Sequence, residues 1–424
     1  MAQFVIQGGK TLQGTIAVRG SKNHATKVFP ASLLFETSFV VANTPLIEDI
    51  FRGHDLLRDL GFKVTSKDER SFEVTPGALK KNELTRDIAE RIRTSILFVG
   101  PLLARRKKVF FPHPGGCVIG KRPIDLFLDG WQAMGARIKQ TPTGYAMTAQ
   151  TLRGIDYTFR KPSHTATESL MMTAVLVKGR TVLRNAACEI EIVALADFLN
   201  KSGSRISGAG TPTITIEGTG GTLLKGTECT IIPDRLDAGT LAILGALAGN
   251  NMRITHCNPD HLSVLIAHLR AVGARIQQGE DWIAVSKAKT LKPLDIKTKE
   301  YPGFVTDYQA PFTVLLTQAQ GQSLVFETIF EGRLNYIEDL NRMGANIIPC
   351  DPHRVIVIGP TPLHGRQVES PDLRAGLAFV IAGLIAKGES RIGNVYQIDR
   401  GYEKIDERLR KLGADIRRIE EVTS

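Results

Sequence analysis

The sequence predicts an α/β chain assembled from six α+β repeats of about 70 residues, packed as two domains of three units each. Three observations carry this. A short phrase, a helix ending in an apolar residue and glycine followed at once by a strand, recurs six times. Its glycines, Gly61, Gly135, Gly203, Gly273, Gly344 and Gly413, stand 74, 68, 70, 71 and 69 residues apart. Within each unit lies a second stretch of small and apolar residues, with too few polar positions for any solvent face, which has to be a buried helix. A unit of this size folds alone only marginally, so units must pack on one another.

The phrase first reads Leu56-Leu57-Arg58-Asp59-Leu60-Gly61-Phe62-Lys63-Val64 and last Leu409-Arg410-Lys411-Leu412-Gly413-Ala414-Asp415-Ile416, with intermediate copies at 131–138, 198–206, 269–276 and 340–347. Apolar positions at i, i+3 and i+4 mark the helix, glycine serves as a left-handed C-cap, and the strand begins directly after. Segments such as Asp281-Trp282-Ile283-Ala284-Val285 and Arg354-Val355-Ile356-Val357-Ile358 read as the returning strand of a hairpin. The buried helices include Ser169-Leu170-Met171-Met172-Thr173-Ala174-Val175-Leu176 and Ala375-Gly376-Leu377-Ala378-Phe379-Val380-Ile381-Ala382. Gly218-Thr219-Gly220-Gly221 has no helix start after it and reads as a polar turn. No P-loop or Rossmann turn is present.

Composition narrows the class. The longest clean apolar run, Ala375 to Ala386, is twelve residues, against about 20 for a membrane span. The first residues lack a basic region before an apolar one, so no signal peptide is expected. The five cysteines, at 117, 188, 229, 257 and 350, form no CxxC and suggest neither a zinc site nor a disulfide framework, which makes the cytoplasm the expected location. A net charge of +11 points to an anionic partner: nucleic acid, lipid headgroups or a phosphorylated metabolite. The one basic run, Arg105-Arg106-Lys107-Lys108, reads as a solvated connection, without the aromatic or helix-turn-helix signature of a specific nucleic-acid binder.

Polar residues gather where the buried helices start: Ser21-Lys22-Asn23-His24, Arg91-Ile92-Arg93-Thr94-Ser95, Ser163-His164-Thr165-Ala166-Thr167, Asp234-Arg235-Leu236-Asp237, Thr306-Asp307-Tyr308-Gln309 and Asp372-Leu373-Arg374-Ala375. Capping explains the Ser, Thr and Asp residues. It does not explain a Lys or Arg in four of the six first turns, where the helix dipole repels cations. An anion shared between the cation and the helix end would make the placement favourable. Lys22, Arg93, Lys121, Arg122, Arg235, Arg333, Arg374 and Arg400 are the candidates for such a site. The stretch Pro114-Gly115-Gly116-Cys117-Val118-Ile119-Gly120-Lys121-Arg122-Pro123 adds a cysteine followed closely by two cations. Nearby cations depress a thiol pKa and make it reactive; a buried, inert cysteine in a glycine turn is the competing reading.

These motifs, with Asn185-Ala186-Ala187, Pro233-Asp234-Arg235, Glu327-Thr328-Ile329-Phe330-Glu331 and Ile398-Asp399-Arg400-Gly401-Tyr402-Glu403, come in an order that resembles the UDP-N-acetylglucosamine 1-carboxyvinyltransferase family, enolpyruvyl transferases of the EPSP synthase-like superfamily. The resemblance spans nearly the whole chain. It implies a two-domain inside-out α/β barrel. Residues 22–230 would form the domain carrying Cys117, and 1–21 plus 231–424 the other, with the site in the cleft and two chain crossings as hinge. It also implies transfer of enolpyruvyl from phosphoenolpyruvate to the 3-hydroxyl of UDP-N-acetylglucosamine by addition and elimination, without cofactor or metal, opening peptidoglycan precursor synthesis.

By the same resemblance Cys117 is the general acid and the site of covalent adducts. Lys22, Asn23, Arg122, Arg374 and Arg400 hold phosphoenolpyruvate, with Lys22 and Arg400 also catalytic. Asp307 is the base or orienter at the sugar hydroxyl, with Asp372 and Arg374 beside it. Asn23, Arg93, Arg122, Pro123, Ile124, Asp125, Leu126, Lys161, Pro162, Ser163, His164, Asp307 and Ile329 match positions that hold the UDP-sugar. The chain departs from the family pattern at His164, where a small or apolar residue is usual, and at Phe127, Tyr301 and Gln397, each where a histidine is common. All four lie on the nucleotide and sugar side. Two other readings therefore stand beside the main one: an enolpyruvyl transferase for a different nucleotide or sugar, and an inactive anion- or nucleic-acid-binding relative.

Overall fold

The computed structural model describes residues 2–113, 115 and 123–420. They form two compact units, one of residues 20–113, 115 and 123–232 and the other of residues 2–19 and 233–420. Each has its own hydrophobic core. Each contains three sheets packed around central helices.

All six phrase glycines cap their helices in the left-handed region, at φ between 93° and 108°. In every copy the residue after the glycine donates its N–H to the carbonyl five positions earlier, from Phe62 to Leu57 at 2.9 Å through to Ala414 to Leu409 at 3.2 Å. This is the Schellman bond, which satisfies a helix-end carbonyl and turns the chain into the strand. One local solution, used six times, therefore sets the period.

In the 233–420 unit the buried helices are Arg235–Ala248, Gln309–Leu316 and Leu373–Ile385, and each touches the other two. Eleven of the thirteen residues of Leu373–Ile385 are buried, and each of its large apolar side chains contributes about 1.5–3 kcal/mol relative to exposure. The 20–232 unit centres on Lys22–Ala31, the short turn Arg93–Phe98 with the helix Val99–Arg106, and His164–Val175.

The hairpins expected after each phrase are present as Lys63–Ser66 with Phe72–Thr75, Arg137–Thr141 with Gly144–Thr148, Arg205–Ser207 with Thr213–Thr219, Arg275–Gln278 with Trp282–Ser286, and Asn346–Asp351 with Arg354–Gly359. Among the described residues the sixth has no downstream partner. Its strand Asp415–Glu420 instead pairs with the N-terminal strand Ala2–Gln7, which is also antiparallel to Glu389–Gly393. Thr15–Ala17 likewise lies parallel to Met252–Thr255, so pairing draws residues 2–19 into the C-terminal unit. In the other unit Cys229–Thr230 runs parallel to Phe39–Ala42. Helices inside and half-exposed sheets outside give the inside-out character; the six sheets pair separately, and no hydrogen-bonded barrel closes among the described residues.

The basic run joins a helix to a strand, with Arg106 and Lys108 exposed. Arg105 and Arg106 end the Val99–Arg106 helix and Lys107 is its left-handed cap at φ 59°, cations placed where the helix dipole favours them. Arg105 also donates to the Leu33 carbonyl at 3.0 Å. Gly220 and Gly221 both take positive φ, as a polar turn requires. Among the described residues no helix is long and apolar enough to cross a membrane.

Candidate active site

Capping accounts for four of the six central helix starts. Ser21 Oγ accepts from the His24 amide, Ser163 Oγ from Ala166, Asp234 Oδ1 from Leu236 and Asp237, and Asp372 Oδ1 from Arg374 and Ala375. At Arg93 and Thr306 the chain enters through a 3₁₀ turn without a side-chain cap. Tightened i→i+3 bonds do there what a capping side chain does elsewhere.

In the 233–420 unit the cations at two of these starts, with Arg333 from the turn at 331–336, surround one carboxylate. Arg374 Nε donates to Asp307 Oδ1 at 2.8 Å and Arg333 Nη2 approaches the same oxygen at 3.5 Å. Arg333 Nη1 lies 3.7 Å from Asp372 Oδ1. Arg374 Nη1 donates to the Tyr402 hydroxyl at 2.6 Å, which in turn meets Thr240 Oγ1 at 3.2 Å. Arg235 stacks over the Tyr301 ring at 4.9 Å. Burial alone would push the Asp307 carboxyl up; the charges of Arg374 and Arg333, the bond from Arg374 and the charge of Arg235 overcome this and hold it well below the usual carboxylate range. Arg374 is held charged in return, against its burial, chiefly by Tyr402 and Asp307.

While Arg374 and Arg333 are 5% and 4% exposed, the Asp307 side chain keeps 29% of its surface open. The buried arginines thus aim an ionised carboxylate at solvent. Arg400 ends the Tyr396–Asp399 helix, where its Nη1 donates to Gln397 Oε1 at 3.4 Å. Ile329 is half-buried in the loop after the strand Gly321–Phe326.

In the 20–232 unit Lys22 opens its helix and pairs with Asp49 Oδ2 at 2.7 Å, both side chains largely buried. Asn23 follows half-buried and Arg93 is half-buried at its turn. One turn deeper, Lys27 Nζ lies 3.4 Å from Glu168 Oε2, while His164 Nε2 lies 3.2 Å from Glu168 Oε1. Burial would lower the His164 pKa, but the charge and hydrogen bond of Glu168, helped by Glu189 and opposed by Lys27, raise it above the ordinary imidazole value. Ser163 caps the helix that His164 begins, preceded by exposed Lys161 and half-buried Pro162. Ile124 and Leu126 are buried and Pro123 is exposed. Asp125 is engaged by Arg160.

Cys117, Lys121 and Arg122 lie outside the described residues. Of the other cysteines, burial pushes Cys229 up to about 12 and Cys257 up to about 11, which makes both poor thiolates. Asn185, in the Asn-Ala-Ala motif, takes φ 51° and donates to the Phe159 carbonyl at 2.8 Å, a turn-forming role. Sequence reasoning missed Asp49, the Lys27–Glu168 pair, Tyr402 as a partner of Arg374, and Thr306 as a partner of Arg333. Tyr402 and Thr306, each inside a motif already singled out, carried a local signal; Asp49, Lys27 and Glu168 carried none.

The family model described as EPSP synthase (3-phosphoshikimate 1-carboxyvinyltransferase) matches residues 6–409. Curated relatives named UDP-N-acetylglucosamine 1-carboxyvinyltransferase are 43% identical in Koribacter versatilis, over 100% of this chain and 98% of the relative, and 42% in Desulfatibacillum aliphaticivorans, over 99% and 100%. The chain belongs to the EPSP synthase family, in its UDP-N-acetylglucosamine 1-carboxyvinyltransferase branch. Among solved structures, the enolpyruvyl transferase NikO from Streptomyces tendae superposes with TM-score 0.90 at 24% identity, covering 99% of both chains. EPSP synthase from Acinetobacter baumannii gives 0.75 at 19%, covering 99% of this chain and 100% of that one. The enolpyruvyl transferase fold is therefore shared across the family.

Proposed function

We propose that this chain transfers the enolpyruvyl group of phosphoenolpyruvate to the 3-hydroxyl of UDP-N-acetylglucosamine, releasing phosphate, and that it acts in the cytoplasm on peptidoglycan precursors. The observation that carries the chemistry is the Asp307 cluster: an open carboxylate held ionised by Arg374 and Arg235 at helix starts and by Arg333 from a neighbouring turn. Full-length similarity to relatives bearing this activity's name favours this acceptor over another sugar.

Addition requires a proton on the methylene carbon of phosphoenolpyruvate while the sugar oxygen bonds to the adjacent carbon; elimination removes a proton from the new methyl group and expels phosphate. Cys117 supplies the first proton. Lys22, Arg122 and Arg400 neutralise carboxylate and phosphate, with Asn23 and Arg374 beside them. Asp307 accepts a hydrogen bond from the sugar hydroxyl and orients it. Arg93, residues 123–126, Lys161 to His164 and Ile329 hold the nucleotide sugar.

Phosphate release with both substrates, and none with either alone, tests the reaction. Cys117→Ser is expected to lose most activity and all covalent adduct formation with fosfomycin. An adduct persisting on that variant removes Cys117 from its role.

A further inference from the structure

Glu327 follows the strand Gly321–Phe326 and is completely buried. Its carboxylate receives four hydrogen bonds from uncharged donors. Oε1 accepts from Thr298 Oγ1 at 3.1 Å, the Ile329 amide at 2.7 Å and the Phe330 amide at 3.1 Å; Oε2 accepts from Thr306 Oγ1 at 2.8 Å. An ionised carboxylate only accepts, so the Thr306 proton must point at Glu327. That leaves a Thr306 lone pair for Arg333 Nε, at 3.2 Å. Arg333 continues to Asp307 and rests over the Phe330 ring at 5.2 Å. Arg333, Thr306 and Glu327 thus form a chain with one direction, closed through the loop that carries Ile329.

We propose that Glu327 is a positioning residue for the acceptor sugar: it locks the Ile329 loop to the Thr306–Asp307 turn, so that the apolar contact and the orienting carboxylate keep one register. This rests on the reading of Ile329 and Asp307 as acceptor-side residues. Burying a carboxylate among neutral donors costs several kcal/mol of desolvation, which an apolar or amide side chain would avoid. The ion is required because only an acceptor-only group fixes the hydrogen-bond direction from Arg333 onward. An amide at this position would turn an N–H toward Thr306, which already receives Arg333, and the threonine proton would lose its acceptor.

The test is Glu327→Gln, with both substrates varied in steady-state phosphate release and the melting temperature recorded. A misplaced orienting group costs about tenfold to a hundredfold. The expected result is a rise of that size in the KM for UDP-N-acetylglucosamine, a fall in kcat, and a phosphoenolpyruvate KM within about twofold of wild type. Thr306→Val should reproduce the pattern, and the double variant should be no worse than the worse single one, because both break the same link. Thr306→Ser, which keeps the hydroxyl, should recover most of the loss. Equal changes in both KM values, additive losses in the double variant, or a lowered melting temperature with unchanged KM values would overturn the assignment. A wild-type chain that releases no phosphate with this substrate pair overturns the functional reading, and the inference with it.

Discussion

Lys22 combines an observed structural role with a proposed ligand-binding one, and a single substitution would confuse the two. It forms a buried pair with Asp49 at 2.7 Å, with side chains 11% and 4% exposed, and it is proposed to hold phosphoenolpyruvate. Removing one partner of a buried pair costs roughly 3–5 kcal/mol, because the other charge stays in low dielectric with less to neutralise it. The slight opening around Lys22 puts Lys22→Ala near the lower end, about 3 kcal/mol. Asp49→Asn in the same chain removes that charge, so the double variant should regain most of that stability. Ligand affinity should not follow. One charge-assisted hydrogen bond is worth about 1.5–3 kcal/mol, so phosphoenolpyruvate binding should weaken by about tenfold to a hundredfold in both variants. UDP-N-acetylglucosamine binding should change far less. Urea unfolding and calorimetric titration of each ligand separate these outcomes. A double variant that regains phosphoenolpyruvate affinity together with stability would make Lys22 a structural residue only. Equal weakening of both ligands would refute the phosphate assignment.

Asp307→Asn should lower kcat by about a hundredfold, the scale of losing a group that orients the attacking atom. It should not raise the phosphoenolpyruvate KM, since the arginine cluster gains a positive charge; a raised KM in kinetic assays would contradict this. Gly344→Ala places a Cβ 2.7 Å from the Pro362 carbonyl at φ 106°; denaturant melts should show a loss of about 1–2 kcal/mol, and no loss would undo the capping argument. His164 faces Glu168 on its own helix, Lys27 on the Lys22–Ala31 helix and Glu189 ahead of Ile190–Lys201. Its folded pKa is raised, so its stabilisation is complete below the unfolded value near 6.5 and disappears as pH rises through the folded value. Proton NMR titration of its ring should show that raised midpoint, and Glu168→Gln should bring it down. His24, buried and held at about 4, and His54, at about 3, work in the opposite sense. Each contributes fully above about 6.5 and loses that contribution as pH falls toward the folded value, so urea midpoints should drop across that interval, less so in His54→Phe.

Much of the fold was legible because it repeats a single local event. Glycine after an apolar helix end has one dominant solution, and six copies at near-constant spacing left little else to conclude. The partner of the last strand was not legible, since Ala2–Gln7 reaches Asp415–Glu420 across the whole sequence. The Asp307 cluster was half legible: cations in first turns signalled it, but which carboxylate they meet depends on three helices packing together. Asp49 and Glu168 were invisible for a simpler reason. Asp49 lies in an amphipathic helix and looks solvated in sequence, while Glu168 lies in a buried one, and the lysine that meets each comes from another helix.

The electrostatics of Asp307 also bear on how the sugar hydroxyl is activated. A general base works best with a pKa near the working pH, and arginine contacts drive this carboxyl far the other way. So long as those contacts last, Asp307 is a strong hydrogen-bond acceptor and a weak proton acceptor. It can align the hydroxyl lone pair toward the carbon under attack and stabilise the positive charge that grows on the oxygen as that bond forms. The oxygen then becomes acidic only as the bond is made, and a weak acceptor suffices at that stage. In the proposed mechanism, bond formation and proton loss would thereby be ordered by the same arginines that fix the carboxylate in place. Arg333 and Arg374 would then matter to the acceptor, and Glu327, linked to Arg333 through Thr306, would act on the sugar from a position with no exposed surface.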